Sequence, residues 1–224
     1  MKLLAFDTAS EWCSAALSID GAVSFRAVHA GQTHSSLLAP MLGELLAEAG
    51  LGYRQLDGLA FGHGPGSFTG LRIACGVAQG LALGADLPVL GVSTLEALAE
   101  DVGAGAAEVL ACLDARMNEV YAGHYRRHGD GWLALAGPLV CPPEAVPLPE
   151  NAGCLGAGSG FAACPALGER MRGHLAGTVP DAIPHARAIV RLAAPRFLAG
   201  EFGPAETAEP VYVRNKVALK VCER

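Results

Sequence analysis

Short apolar runs separated by turn residues open the chain and predict a β-meander. The first three runs, KLLAFDTAS, EWCSAALSI and GAVSFRAVHA, each have the length and composition of one strand with its turn. A helical pattern follows in THSSLLAPMLGELLAEAG, where apolar positions recur every three or four residues and Gly50 ends the run. The pattern therefore predicts three antiparallel strands followed by an amphipathic helix.

The stretch from residue 56 to residue 98 has the pattern strand, glycine loop, helix, strand. An apolar strand at Leu59–Phe61 leads into the loop GHGPGSFTG. We predict a helix from about Thr69 to Gly84 and a second strand at Pro88–Gly91. Because two strands joined through a helix form a βαβ unit, we expect these strands to be parallel.

The helix of this unit carries a row of glycines, Gly76, Gly80 and Gly84, four residues apart. Each interior glycine destabilises a helix by about 1 kcal/mol relative to alanine, but such a row lets a second backbone approach closely. A membrane span is the alternative, and it needs roughly 20 residues, more than the apolar run between Arg72 and Asp86 provides. We therefore expect a helix covered on most sides, with its glycine row against a second helix.

The second half of the chain repeats the opening pattern. The strand EVLACLD ends in Asp114 as the first strand ends in Asp7, and predicted strands at Val120–Tyr125 and Trp132–Leu139 follow. This repeat predicts two lobes of related topology. Beyond a proline-rich surface connection at residues 141–150, we predict one strand and two helices, at Cys154–Gly156, Phe161–Met171 and Ala186–Ala199.

The composition of the chain argues against several classes of function. The 224 residues carry a formal net charge of −6, which argues against binding nucleic acid unaided, because phosphate contacts need clustered Lys and Arg. Seven scattered cysteines without a C-x-x-C pair favour reduced thiols in a cytoplasmic protein over disulfides or a zinc site. The N-terminus runs straight into an apolar strand, so no signal peptide is expected.

Two patterns suggest chemistry, and each has a structural alternative. Asp7 and Asp114 each end a strand before a turn, where they could hold a metal or orient water, or stabilise the turn. The glycine loop could bind an anion or nucleotide through its N–H groups, or be a structural turn, and Leu71–Arg72 replaces the Lys-Ser/Thr of a P-loop. The candidate anion contacts are Asp7, Thr8, Gly66, Ser67, Thr69 and Arg72.

The histidines give no metal site. His29 and His34 lack helical i, i+4 spacing, while His124 and His128 have it on a predicted strand, so we interpret them as surface histidines. The sequence also shows no coherent nucleophile and base. We therefore predict no catalytic residues, no metal ligands and no cofactor.

Four motifs resemble the TsaB (YeaZ) family, occur in the family's order and span nearly the full chain: DTAS, GPGSFTGLR, LDARMNEVYAG and PVYVRNKVA. The resemblance implies an α/β, actin-like, two-lobed fold of the sugar kinase and Hsp70 type (ribonuclease H-like), with duplicated mixed sheets flanked by helices. It implies a cytoplasmic partner subunit of the bacterial tRNA threonylcarbamoyladenosine machinery. Its partners would be a TsaD-like catalytic paralogue and a TsaE-like ATPase, with tRNA reached only through the complex and no membrane involved.

The resemblance also implies a loss of chemistry. The catalytic paralogue holds its metal with a histidine pair on the helix that here begins THSSLLAPML, where His34 is present but Leu38 stands four residues on. This departure favours a non-catalytic scaffold. Two alternatives remain open: an active small-molecule kinase of the same fold, and a glycoprotease-like metallopeptidase.

The resemblance further implies how the chain is divided. The first lobe is expected at about residues 1–101. The 186–203 helix is expected to return to this lobe, because actin-like folds close in that way. The second lobe is expected at 102–185, and a tail at 204–224.

We expect the first helix, His34–Ala49, and the glycine helix to form one subunit interface. The first helix carries more apolar residues than packing on one side could bury. The glycine row is explained if the backbone of another helix approaches it closely. The same surface would serve a homodimer and the complex with the paralogue, so the two assemblies should compete. The predicted interface residues are Leu37, Leu38, Met41, Leu45, Ile73, Gly76, Val77 and Gly80.

Overall fold

The computed structural model describes residues 1–214, and a mixed five-stranded sheet forms the first lobe. The first three strands pair antiparallel as a meander, which confirms the prediction. The fourth strand pairs parallel with the first and the fifth with the fourth, which confirms the βαβ unit. The sheet order is β3-β2-β1-β4-β5, with the strands β1 (Lys2–Asp7), β2 (Trp12–Ile19), β3 (Ala22–His29), β4 (Gly58–Gly64) and β5 (Val89–Ser93).

A second sheet repeats this topology strand for strand. Its order is β8-β7-β6-β9-β10, with two antiparallel pairs followed by two parallel ones. The repeat that the sequence predicts is therefore confirmed, and the fold is the duplicated actin-like one. The strands are β6 (Glu108–Asp114), β7 (Val120–His128), β8 (Gly131–Cys141), β9 (Cys154–Ala157) and β10 (Leu175–Val179).

The remaining elements follow the predicted order with two corrections, one to a helix and one to a strand. The single helix predicted at Phe161–Met171 is two short helices, because Pro165 begins a new helix and has no N–H to continue the preceding one. Strand β10 was not predicted, since its five residues show no clear alternation. The helices are α1 (His34–Glu48), α2 (Phe68–Ala85), α3 (Thr94–Val102), α4 (Gly160–Ala163), α5 (Pro165–Arg170) and α6 (Ala186–Leu198).

Both faces of the first sheet are covered. Successive side chains of β1 point to opposite faces, and both sets are buried. Leu4 and Phe6 point into one core with α1 and α2, whereas Leu3 and Ala5 point into a second core with α6. Helix α6 thus returns to the first sheet from beyond the second one. The division into lobes at residues 101 and 185 stays a prediction.

Helix α2 is less covered than the sequence predicts. Among residues 1–214 it alone has the length and apolarity of a membrane-crossing helix, 18 residues with a mean hydropathy of 1.2. Only a third of it is buried, through small residues such as Ala74, Ala78 and Ala82. The expectation of a helix covered on most sides is therefore wrong for the single chain, and its exposed face carries the glycine row with Arg72 and Gln79 beside it.

Candidate functional site

The glycine loop between β4 and α2 lies directly on the turn between β1 and β2. The Ser67 N–H donates to the carbonyl of Ala9 at 2.7 Å, and a Cβ on Gly66 would lie 2.5 Å from the same oxygen. The Ser67 hydroxyl accepts from the Gly70 N–H at 3.3 Å and so begins α2. The polar groups of the loop named here therefore form their hydrogen bonds with other groups of the same chain.

Thr8 and Gly70 hold the start of α2 against the first strand. The Thr8 hydroxyl donates to the Gly70 carbonyl at 2.7 Å, and both residues are buried. A Cβ on Gly70 would lie only 1.9 Å from the Thr8 carbonyl oxygen. Glycine is thus required here by close backbone packing.

Asp7 is a fully buried carboxylic acid at the end of β1. One oxygen, Oδ1, accepts from the Ala9 N–H at 3.0 Å, whereas Oδ2 has no partner among residues 1–214. A Cβ on Gly62 would lie 1.8 Å from Oδ2, so only glycine leaves room for the carboxyl group. Burial raises the pKa of Asp7 to about 7, although the hydrogen bond from Ala9 opposes the rise.

Asp114 takes the corresponding position in the second lobe. Its Oδ1 accepts from the Arg116 N–H at 2.8 Å, as Asp7 accepts from Ala9. Both acids thus stabilise their turns, which was one of the two interpretations. Asp114 differs because the Arg116 guanidinium lies 3.3 Å from it and also contacts Glu11 of the first lobe at 3.0 Å.

Asp7→Asn is expected to stabilise the protein at alkaline pH. The carboxyl pKa lies near 7 in the folded chain and near 3.8 when unfolded, so wild-type stability falls as pH rises from about 4 to 7. Each unit by which the folded pKa exceeds the unfolded one lowers the wild-type free energy of unfolding at alkaline pH by about 1.4 kcal/mol. Asparagine avoids this loss, but its buried amide N–H₂ lacks a partner, which offsets part of the gain. We expect a net gain of roughly 2 kcal/mol at pH 8 by urea denaturation. A variant whose advantage does not shrink toward pH 5 would contradict this assignment.

The candidate anion contacts do not share one environment. Asp7 and Thr8 are buried, whereas Ser67, Thr69 and Arg72 are exposed. The Arg72 guanidinium lies 3.4 Å from the centre of the Phe68 ring, with the Tyr212 ring beyond it at 5.5 Å. Anion binding by these residues stays a prediction.

An extended C-terminal segment crosses this region, and sequence reasoning missed its contacts. The Val211 N–H donates to the His63 carbonyl at 2.7 Å, and a Cβ on Gly64 would lie 2.5 Å from the Val211 carbonyl. Arg214 donates to the Ala115 carbonyl at 3.0 Å. The segment therefore links the glycine loop to the turn after β6. The rest of the predicted tail lies outside the described residues.

The outer face of α2 is open along its glycine row. Outside the helix itself, a Cβ on Gly76, Gly80 or Gly84 would have no atom of residues 1–214 within 4 Å, which excludes packing of this row against the protein's own sheet. Leu83, which the sequence analysis did not select, is 76% exposed on the same helix. This face offers small and apolar surface to a partner.

Three of the four predicted interface residues on α1 need correction. Leu38, Met41 and Leu45 are buried in the core against the first sheet, because that sheet is wide enough to cover both apolar rows. Leu37, Ile73 and Val77 are half-buried at its edge. The exposed surface is therefore centred on α2.

His34 has a structural contact within the chain. Its Nε2 lies 3.0 Å from the Ser10 carbonyl, and its ring is buried at the start of α1. Leu38, one turn on, is buried and apolar. A histidine pair on this helix cannot form.

Comparisons with known proteins agree with this architecture. The family model "TsaD: tRNA N6-adenosine threonylcarbamoyltransferase" matches residues 28–218. The chain is 41% identical to "tRNA threonylcarbamoyladenosine biosynthesis protein TsaB" of Escherichia coli K12, over 98% of this chain and 97% of that one. It is 40% identical to the protein of the same name from Haemophilus influenzae, over 98% and 96%. The structure of YeaZ from Pseudomonas aeruginosa superposes with a TM-score of 0.88 at 41% identity, covering 94% of this chain and 99% of that one. The chain therefore belongs to the TsaB (YeaZ) family.

Proposed function

We propose that this chain acts in tRNA threonylcarbamoyladenosine biosynthesis as a subunit without a catalytic site of its own. The main structural support is the uncovered outer face of α2, which leaves room for a helix of a partner to pack closely. Relatives that align with almost the whole chain are named for this pathway. The group transferred would be threonylcarbamoyl, and its acceptor the adenosine beside the anticodon in tRNAs that read A-starting codons.

The proposed partners are a TsaD-like catalytic paralogue and a TsaE-like ATPase. A paralogue that holds the metal is needed because His34 is bound to a backbone carbonyl and Leu38 is buried and apolar. The formal charge of −6 supports tRNA contact through the assembled complex rather than through this chain alone.

The outer face of α2 is the proposed contact surface. A helix with three open glycines can approach another helix at the short end of the usual 8–10 Å interaxial range. The exposed Leu83 side chain adds apolar area that a partner would bury. A second copy of the chain and the paralogue would use this same face, so homodimer and complex should exclude one another.

Reconstitution tests this proposal. The pure chain is expected to show neither threonylcarbamoyl transfer nor ATP hydrolysis, and to bind no ATP by calorimetry. Transfer to unmodified tRNA should require the paralogue and the ATPase from the same cell, and should stop when this chain is omitted. Transfer or ATP hydrolysis by the pure chain would contradict the scaffold role, and full activity without it would contradict membership in the complex.

A further inference from the structure

A glutamate, a histidine and a cysteine converge inside the second lobe, on three neighbouring strands. Glu108 begins β6, His124 lies in the middle of β7 and Cys154 begins β9. All three side chains are buried, and their ligand atoms lie within 4.8 Å of one another. The expectation that His124 is a surface histidine is therefore wrong, because only 8% of the residue is exposed.

The distances inside this cluster are specific. The Nε2 atom of His124 lies 3.0 Å from Glu108 Oε2 and 3.7 Å from Cys154 Sγ. Both neighbours approach the same ring nitrogen. A catalytic relay of cysteine, histidine and carboxylate needs both nitrogens of the ring, so the cluster does not have the geometry of a nucleophile with its base.

We propose that Glu108, His124 and Cys154 form a zinc-binding site. Carboxylate oxygen, imidazole nitrogen and thiolate sulfur are the protein ligands of Zn²⁺. Zn–N and Zn–O bonds of about 2.1 Å and a Zn–S bond of about 2.3 Å, at tetrahedral angles, place N and O about 3.4 Å apart and N and S about 3.6 Å apart. The observed separations differ from these by a few tenths of an ångström.

The surroundings of the cluster suit a single ion. Arg126 Nε donates to Glu108 Oε1 at 2.9 Å, which leaves Oε2 for the metal and orients the carboxylate from outside. A narrow apolar recess lined in part by Leu110, Ala136 and Leu139 borders His124 and is too small for an organic ligand. On binding, the Cys154 thiol releases its proton to solvent.

A purely structural network is the competing account. The Arg126–Glu108–His124 chain satisfies its own charges and hydrogen bonds without a metal. In that account Cys154 is only a buried core residue, and the 3.7 Å between its sulfur and the histidine nitrogen is a packing contact. The two accounts therefore differ most at Cys154, which makes the cysteine the informative position.

Metal titration of the tag-free full chain tests the site. We expect the wild type to bind one zinc per chain, measured by calorimetry with elemental analysis after dialysis. Cobalt should bind in its place and give an intense near-ultraviolet band from sulfur-to-cobalt charge transfer. Cys154→Ser, which nearly preserves volume, should abolish that band and weaken zinc binding at least about a hundredfold, more than loss of an outer hydrogen-bonding partner usually does.

Cys164→Ser is the matched control, since Cys164 is another buried thiol of the second lobe outside the cluster. This variant should bind both metals like the wild type. His124→Gln should also lose the cobalt band, and circular dichroism confirms that each variant is folded. Stoichiometric binding that survives Cys154→Ser, or the absence of zinc binding by the folded wild type, would overturn the site and leave the structural network as its explanation.

Discussion

Gly70→Ala is expected to destabilise the protein by about 3 kcal/mol, the upper end of the usual cost of overpacking and a large part of the total stability of a typical domain. The added methyl group would lie 1.9 Å from the Thr8 carbonyl oxygen, and backbone cannot turn away as a flexible side chain can. Moving α2 aside would also break the hydrogen bond from the Thr8 hydroxyl to the Gly70 carbonyl. Thermal and urea unfolding followed by circular dichroism measure the loss.

Gly84→Ala provides the control on the same helix. In the described part of the chain a Cβ on Gly84 meets no atom within 4 Å, so alanine should bring only its higher helix propensity, up to about 1 kcal/mol of stabilisation. The same substitution is thus expected to have opposite signs at two positions of α2. If both variants were stabilised, the packing of α2 on the β1–β2 turn would be wrong.

Gly80→Leu should abolish association while the monomer stays folded. In the free chain the new side chain points into open space, and leucine favours the helix more than glycine does. In the proposed complex the same side chain would enter the helix contact and force the two backbones apart. We expect association with a second copy or with the catalytic paralogue to weaken more than about a hundredfold, roughly 3 kcal/mol. Light scattering and co-purification measure it.

Gly168→Leu is the matched control for this experiment. Gly168 also has open space around its Cβ position, but it lies on α5 of the second lobe. It should leave association unchanged. An intact dimer or complex with Gly80→Leu would reject α2 as the interface, while an unfolded chain would contradict the open glycine row itself.

Local patterns predicted most of the architecture, because they record which residues face a core. Short apolar runs separated by turn residues identified the meander, and the glycine loop before an apolar run placed the start of α2 near Thr69, one residue after the observed start at Phe68. The parallel strand pair followed from the helical connection between β4 and β5. The paired turn acids, Asp7 and Asp114, followed from the internal repeat.

The remaining features depend on contacts between distant parts of the chain. Apolar residues such as Leu38 and Leu45 produce the same sequence pattern whether they pack against the chain's own sheet or against a partner. The exposed Leu83 and the contact of Val211 with His63 have no local signature either. The cluster around His124 brings together strands up to 46 positions apart, and its spacing matches no zinc motif.

The return of α6 to the first sheet has a consequence for synthesis on the ribosome. One face of that sheet, including Leu3 and Ala5, is buried mainly by α6, although its last strand ends at Ser93. At about 5–20 residues per second, the ribosome needs roughly 5–20 s to make the chain between Ser93 and the end of α6. During that interval the nascent first sheet exposes an apolar face, so early binding by chaperones would favour the yield of folded protein.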